Sequence, residues 1–226
     1  MIQGPHRRTL LALAAALALA SPAFAAPSSA SPNAHPTAQA DDMSLGSPGA
    51  KVTVVEYASA SCPHCARFNN DVFPAFKKKY VDTGKVRYVF REFLTEPVQV
   101  AAAGFLLARC AGKQKYFQVL DEFFQGQAHA YETGDIKALI LSVGGHAGLD
   151  ETKISACLSD KAAADALNAR VERYASEDKV EFTPTFVING SKLPPLDHEV
   201  KLQDLDDAIQ PLLSGKVAKG RKGGKG

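Results

Sequence analysis

Cysteine is scarce in this chain, long apolar runs are nearly absent, and neither sign of charge dominates. Each shortage removes a class of function. There are four cysteines in 226 residues: Cys62, Cys65, Cys110 and Cys157. A zinc site built on Cys62 and Cys65 needs two further ligands at short spacing. Cys110 and Cys157 stand 47 positions apart, neither with a close partner, which argues against zinc. The apolar run at residues 10–20 is eleven residues long, against the ~20 that a spanning helix requires. Nothing later is longer and as apolar. Bases and acids number 26 and 24. Between residues 26 and 215, nineteen bases face twenty-four acids, a net of −5, which does not suit a binder of nucleic acid.

Acids are also missing from the first 25 residues, which contain Arg7 and Arg8. A charged start, an apolar stretch and the small-x-small ending at Ala23-Phe24-Ala25 read as a signal peptide over residues 1–25, cut after Ala25. No cysteine lies near the cut, so a lipoprotein is not expected. Residues 26–46 are rich in Ala, Ser and Pro without periodicity and read as a disordered linker. Residues 47–215 then form the folded domain, and the basic Gly/Lys stretch 216–226 reads as a solvated tail.

What is present centres on Cys62-Pro63-His64-Cys65, at the junction of an apolar strand and a helix-like stretch. Such a pair suggests a dithiol that opens and closes. A helix N-terminus offers unpaired N–H groups and a positive dipole end, which stabilise a thiolate on Cys62. A His64 imidazolium adds to this. In motifs of this kind a thiol falls from about 8.5 to roughly 3.5–7.5. Because that stabilises the reduced form, the disulfide becomes the stronger oxidant. A static disulfide and a half zinc site are the plainer alternatives. Outside the cytosol four cysteines allow three pairings; Cys62–Cys65 is one natural pair, leaving Cys110–Cys157 as a structural bond or as free buried thiols.

Residues 51–57 read as a buried strand, with Glu56 at its end, six positions before Cys62. An acid beneath a dithiol is desolvated, its pKa rises, and it can exchange a proton with Cys65 through a water; an outward-facing strand residue is the alternative. Residues 66–80 carry Phe68, Val72, Phe76 and Tyr80 on one helical face, with a kink expected at Pro74. Residues 85–93 alternate as a second strand. Residues 97–178 hold no strand signal and divide into helices at 98–111, 113–125, 135–143, 150–159 and 162–176, the third broken by Gly144-Gly145. A strand then follows Pro184, turns at Asn189-Gly190, and leads to a closing helix at 202–213.

The Cys-Pro-His-Cys motif after a strand, Glu56, the helical insertion and Phe182-Thr183-Pro184-Thr185-Phe186 before an Asn-Gly turn together resemble the DsbA-like branch of the thioredoxin superfamily, exported bacterial thiol–disulfide oxidoreductases. The resemblance implies an α/β thioredoxin fold with a helical subdomain, about 97–178, between its halves. It implies Cys62 as the exposed nucleophile, Cys65 as the buried resolving thiol, Pro63 and His64 as the dipeptide that biases the pair towards oxidant, and Glu56 as the buried acid. Pro184 is then a cis-proline facing the disulfide, and the Thr183 backbone pairs an extended substrate. Cys110 and Cys157 match members with a second, non-catalytic disulfide. The implied partners are reduced exported proteins and a DsbB-like quinone-linked membrane reoxidant. The implied protein is a periplasmic monomer needing no metal or cofactor. Thr before the proline also occurs in isomerases and reductases of the superfamily, so that activity is the competing expectation. A chaperone without turnover is a third.

Overall fold

The sheet is built on Val52–Ala58, a strand (β2) buried along nearly its whole length. In the computed structural model, which describes residues 39–215 with Met1 and Gly4 besides, β2 pairs in parallel with β3 (Val86–Glu92) on one side. On the other it pairs antiparallel with β4 (Thr185–Ile188). A short β1 (Met43–Leu45) closes the far edge against β3, and β5 (Ser191–Lys192) completes the Asn189-Gly190 hairpin, giving the order β1-β3-β2-β4-β5. Contacts divide the chain into residues 1–32 and 33–226, and the described body belongs to the second unit. The expected signal peptide, residues 26–38 of the linker and the basic tail lie outside the described residues.

Alternation along β2 sends side chains to two cores. Val52 and Val54 join Phe68, Phe76 and Tyr80 under the helix that follows the motif. Val55 and Tyr57 join Val89, Val187 and Tyr174 on the opposite face. Glu56 shares the parity of Val52 and Val54, so the pleat alone turns its carboxyl towards the dithiol helix. That helix begins with α1 (Pro63–Arg67) and continues through α2 (Phe73–Phe76), with π-helical turns at Phe68–Val72 and Lys77–Val81. Pro74 is accommodated just after the first of these wide turns, at the start of α2.

Five helices stand between β3 and β4: α3 (Val98–Cys110), α4 (Tyr116–Thr133), α5 (Ile136–His146), α6 (Glu151–Ser159) and α7 (Lys161–Asp178). Two run past a glycine beyond the end that the sequence predicts. α4 passes through Gly126, where a Cβ would sit 2.4 Å from Leu139 Cδ1, and α5 passes through Gly144, where it would sit 2.5 Å from Ile154 Cδ1. These glycines let helices approach rather than end them. A closing helix, α8 (Leu202–Leu213), buries Leu205 and Ile209.

The boundary placed after residue 46 is corrected. Met43–Leu45 is a paired strand, and Asp42, just before it, accepts from the buried Arg91 at 3.0 Å and from Tyr174 at 2.9 Å. Three residues are too few to display a period, which is why composition alone read them as linker.

Candidate active site

Cys62 is the N-cap of α1, with an extended backbone, and its Sγ accepts from the Cys65 N–H at 3.3 Å. No acid stands in the first turn, and Pro63 fills the first helical position. Proline there has no N–H to leave unpaired. Both cysteines carry free thiols and both are buried, Cys62 at 6 % exposed and Cys65 at 1 %, so the expectation of an exposed Cys62 is corrected; in acidity they differ sharply. A hydrogen bond from the Cys65 thiol is the main influence lowering Cys62 to about 6, helped by Thr183 and by the N–H groups of Cys65 and His64. Burial pushes Cys65 well above the ordinary thiol range, and the Cys62 and Glu56 charges push the same way.

Beneath the pair, Glu56 is 2 % exposed and accepts from the Tyr88 hydroxyl. Burial raises it to about 8; the Tyr88 bond opposes this and the Cys62 charge adds to it. The carboxyl therefore keeps its proton at neutral pH. Of the two readings of Glu56, the inward one holds.

The Thr183–Pro184 bond is cis, and the Thr183 carbonyl accepts from Cys62 Sγ at 3.5 Å. Behind Pro184 opens a groove of about 670 Å³, bounded by His64, Phe182, Leu193, Pro195 and Glu199 among others. Phe182 is 42 % exposed there, an unusually open large apolar side chain. Cys110 and Cys157 sit apart from all this, joined by a disulfide between α3 and α6 with Cα atoms 5.9 Å apart. Thus Cys62, Cys65, Pro63, His64, Glu56, Thr183 and Pro184 converge on one place, and the second cysteine pair does not.

The family model described as Thioredoxin matches residues 38–210, most of the chain and all of this geometry. The chain belongs to the thioredoxin family. Its relatives place it in the DsbA-like branch. A Rickettsia bellii protein named as a protein-disulfide oxidoreductase is 34% identical over 151 residues, covering 66% of this chain and 58% of its own. Disulfide bond formation protein D of Bacillus subtilis is 26% identical over 179 residues, covering 76% of this chain and 77% of its own. The crystal structure of Wolbachia pipientis alpha-DsbA1 superposes with a TM-score of 0.70 at 26% identity, covering 80% of this chain and 96% of that one. The chain spans just over half the length of the Rickettsia relatives it matches.

This DsbA-like thioredoxin also carries site residues that its sequence did not disclose. Glu199, from the segment before α8, accepts from Arg67 at 2.6 Å and meets His64 Nδ1 at 2.7 Å, so it stitches the groove's far wall to the motif helix. Buried Gln127 and part-buried Tyr131 of α4 reach the loop before Cys62. A helix ending at residue 125, as the sequence predicts, leaves both outside it. Their signal was there, since Tyr116, Leu120, Phe123, Gln127 and Tyr131 continue one helical face. Among the described residues, no group of three or more His, Cys, Asp or Glu side chains could hold a metal, and no helix is long and apolar enough to cross a membrane.

Proposed function

We propose that this protein is an exported dithiol oxidase that gives its Cys62–Cys65 disulfide to reduced, folding proteins in the periplasm. A substrate thiolate attacks Cys62 Sγ, a mixed disulfide forms, and Cys65 leaves with the electron pair of the broken S–S bond. Glu56, which holds a proton at neutral pH, is placed to supply one to Cys65 through a water. A second substrate thiolate then attacks its partner sulfur and expels Cys62. Two electrons pass from substrate to protein, and a DsbB-like quinone-linked membrane protein removes them.

One observation carries the reading: the two thiols lie on opposite sides of the ordinary value, Cys62 at about 6 and Cys65 well above 9.0. A low-pKa thiol is the better leaving group, so the mixed disulfide releases oxidised substrate readily. Collapse of the mixed disulfide back to reduced substrate requires a Cys65 thiolate that burial disfavours. A reductase or isomerase of the same fold is the second reading, favoured by Thr183 ahead of the proline and separated by redox potential. In either case Pro63 and His64 tune the pair, the Thr183 and Pro184 backbone receives an extended substrate segment, and Cys110–Cys157 staples the insertion of a monomer.

Trapping tests the roles directly. Cys65→Ala is expected to accumulate mixed disulfides with oxidised model substrates, because its Cys62 thiolate attacks a substrate disulfide, expels one substrate thiolate and leaves no Cys65 to resolve the product, and Cys62→Ala is expected to form none. Mixed disulfides of equal yield through Cys65 would contradict the assignment.

A further inference from the structure

The inserted helices touch the dithiol through the loop that delivers it. Between β2 and α1 the chain runs Ser59-Ala60-Ser61-Cys62, and these four residues are buried. A buried carbonyl needs a donor. The Ser59 carbonyl finds one inside the loop, accepting from the Cys62 N–H at 3.1 Å. For the next two carbonyls α4 supplies the donors. Gln127 Nε2 donates to the Ala60 carbonyl at 2.7 Å and lies 3.4 Å from that of Cys62. The Tyr131 hydroxyl donates to the Ser61 carbonyl at 2.8 Å. Gln127 is itself only 2 % exposed and stands four positions before Tyr131, one helical turn away on the same face.

From the other side the serine hydroxyls bind the 93–97 segment. Ser61 Oγ donates to the Thr95 carbonyl at 2.8 Å, and the Thr95 N–H donates to Ser59 Oγ at 3.2 Å. Steric contact adds to the grip, because a Cβ on Gly104 of α3 would lie 2.7 Å from the Ala60 Cβ. Each carbonyl bond also fixes its peptide plane, and so where Cys62 sits as the N-cap of α1, with its Sγ 3.3 Å from the Cys65 N–H. That N–H supports the sulfur most when it is a thiolate, which it can be only in the reduced protein.

We infer that Gln127 and Tyr131 are positioning residues through which the helical insertion sets the oxidising strength of the Cys62–Cys65 pair. They act on the loop and touch no reacting atom. The insertion thus does more than cover the motif: it holds the loop that seats Cys62 against the Cys65 N–H, a contact that favours the reduced state. This rests on the dithiol cycling proposed above. A residue that merely supports the fold weakens oxidised and reduced protein equally. Loss of a residue that seats a thiolate against its donor weakens the reduced form more, and that difference appears in the redox equilibrium.

The test compares Gln127→Met, similar in volume but no donor, and Tyr131→Phe, lacking one hydroxyl, with the parent full-length protein. Each is equilibrated with reduced and oxidised glutathione, and the Cys62 thiolate is titrated by ultraviolet absorbance. Loss of one such bond is expected to make the pair about fivefold less oxidising and to raise the Cys62 pKa in proportion. Redox equilibria within about twofold of the parent, with equal loss of stability in both redox states, overturn the inference. If Gln127→Met does not fold, Tyr131→Phe decides alone. A parent potential near that of thioredoxin would sink the oxidase reading while leaving this comparison intact.

Discussion

The Tyr88 hydroxyl donates to the Glu56 carboxyl within the core, one strand over from the acid and on the same face of the sheet. The pair explains how a carboxyl survives beneath a dithiol. It is satisfied by a neutral donor rather than a cation, so the Tyr88 bond only partly opposes the burial that holds its proton.

Replacing Glu56 by Gln therefore changes the pH dependence of stability with a fixed sign. The Glu56 pKa is raised by folding to about 8. Its contribution is complete below the unfolded value of about 4.3 and is lost as pH rises through about 8. In the reduced protein, whose Cys62 charge contributes to that value, Glu56→Gln should abolish that decline, becoming more stable than the parent by on the order of 4 kcal/mol at pH 8 relative to pH 4.5. Urea unfolding at the two pH values measures this. Parallel profiles would mean that the carboxyl ionises freely in the fold.

Cys62 acts in the opposite direction. Its folded pKa is depressed to about 6, so the stabilisation is present above the unfolded value of about 8.5 and is lost as pH falls through about 6. The reduced protein should gain on the oxidised one by on the order of 2–3 kcal/mol between pH 6 and pH 8. Thermal unfolding of both redox forms across that window is the check, and Cys62→Ser should remove the gain.

Opening the second disulfide should cost stability. The bond closes a loop with a sequence separation of 47 between α3 and α6, worth roughly 4 kcal/mol in the chain-entropy model. The paired Cys110→Ala and Cys157→Ala variant should unfold at correspondingly lower urea. A loss below about 1 kcal/mol would show that packing of the two helices suffices without the bond.

Two glycines in the insertion should respond oppositely to alanine. Gly104 faces the Ala60 Cβ at 2.7 Å, and Gly104→Ala should destabilise by roughly 1–3 kcal/mol through overpacking. Gly145 in α5 has nothing within 4 Å of its would-be Cβ. Gly145→Ala should stabilise by roughly 0.5–1 kcal/mol through helix propensity. Chemical denaturation of the two variants separates them.

These residues also show where sequence reading succeeds and where it stops. Cys62, Cys65, Glu56 and Pro184 were legible because motif spacing and strand alternation are local. The pleat puts Glu56 on the inner face once Val52 and Val54 are inside. Five helices in the insertion were legible from missing strand signals and repeated apolar faces. Gly144 misled because glycine marks both helix ends and close helix contacts, and only its neighbour Ile154 tells these apart. The buried pairing of Asp42 with Arg91 joins residues 49 positions apart, and no local pattern announces such a partner. Glu199 was missed for the same reason: it sits in a proline-bounded segment whose route past His64 is fixed by tertiary packing.

The most direct measurement is the equilibrium of the purified mature protein with reduced and oxidised glutathione. An oxidase requires a potential well above that of thioredoxin, about −270 mV, and towards that of strong dithiol oxidants at about −120 mV. It also requires a Cys62 thiolate titrating below neutrality. A potential near −270 mV, with Cys62 titrating as an ordinary thiol at about 8.5, would contradict the account and leave a reductase or isomerase in its place.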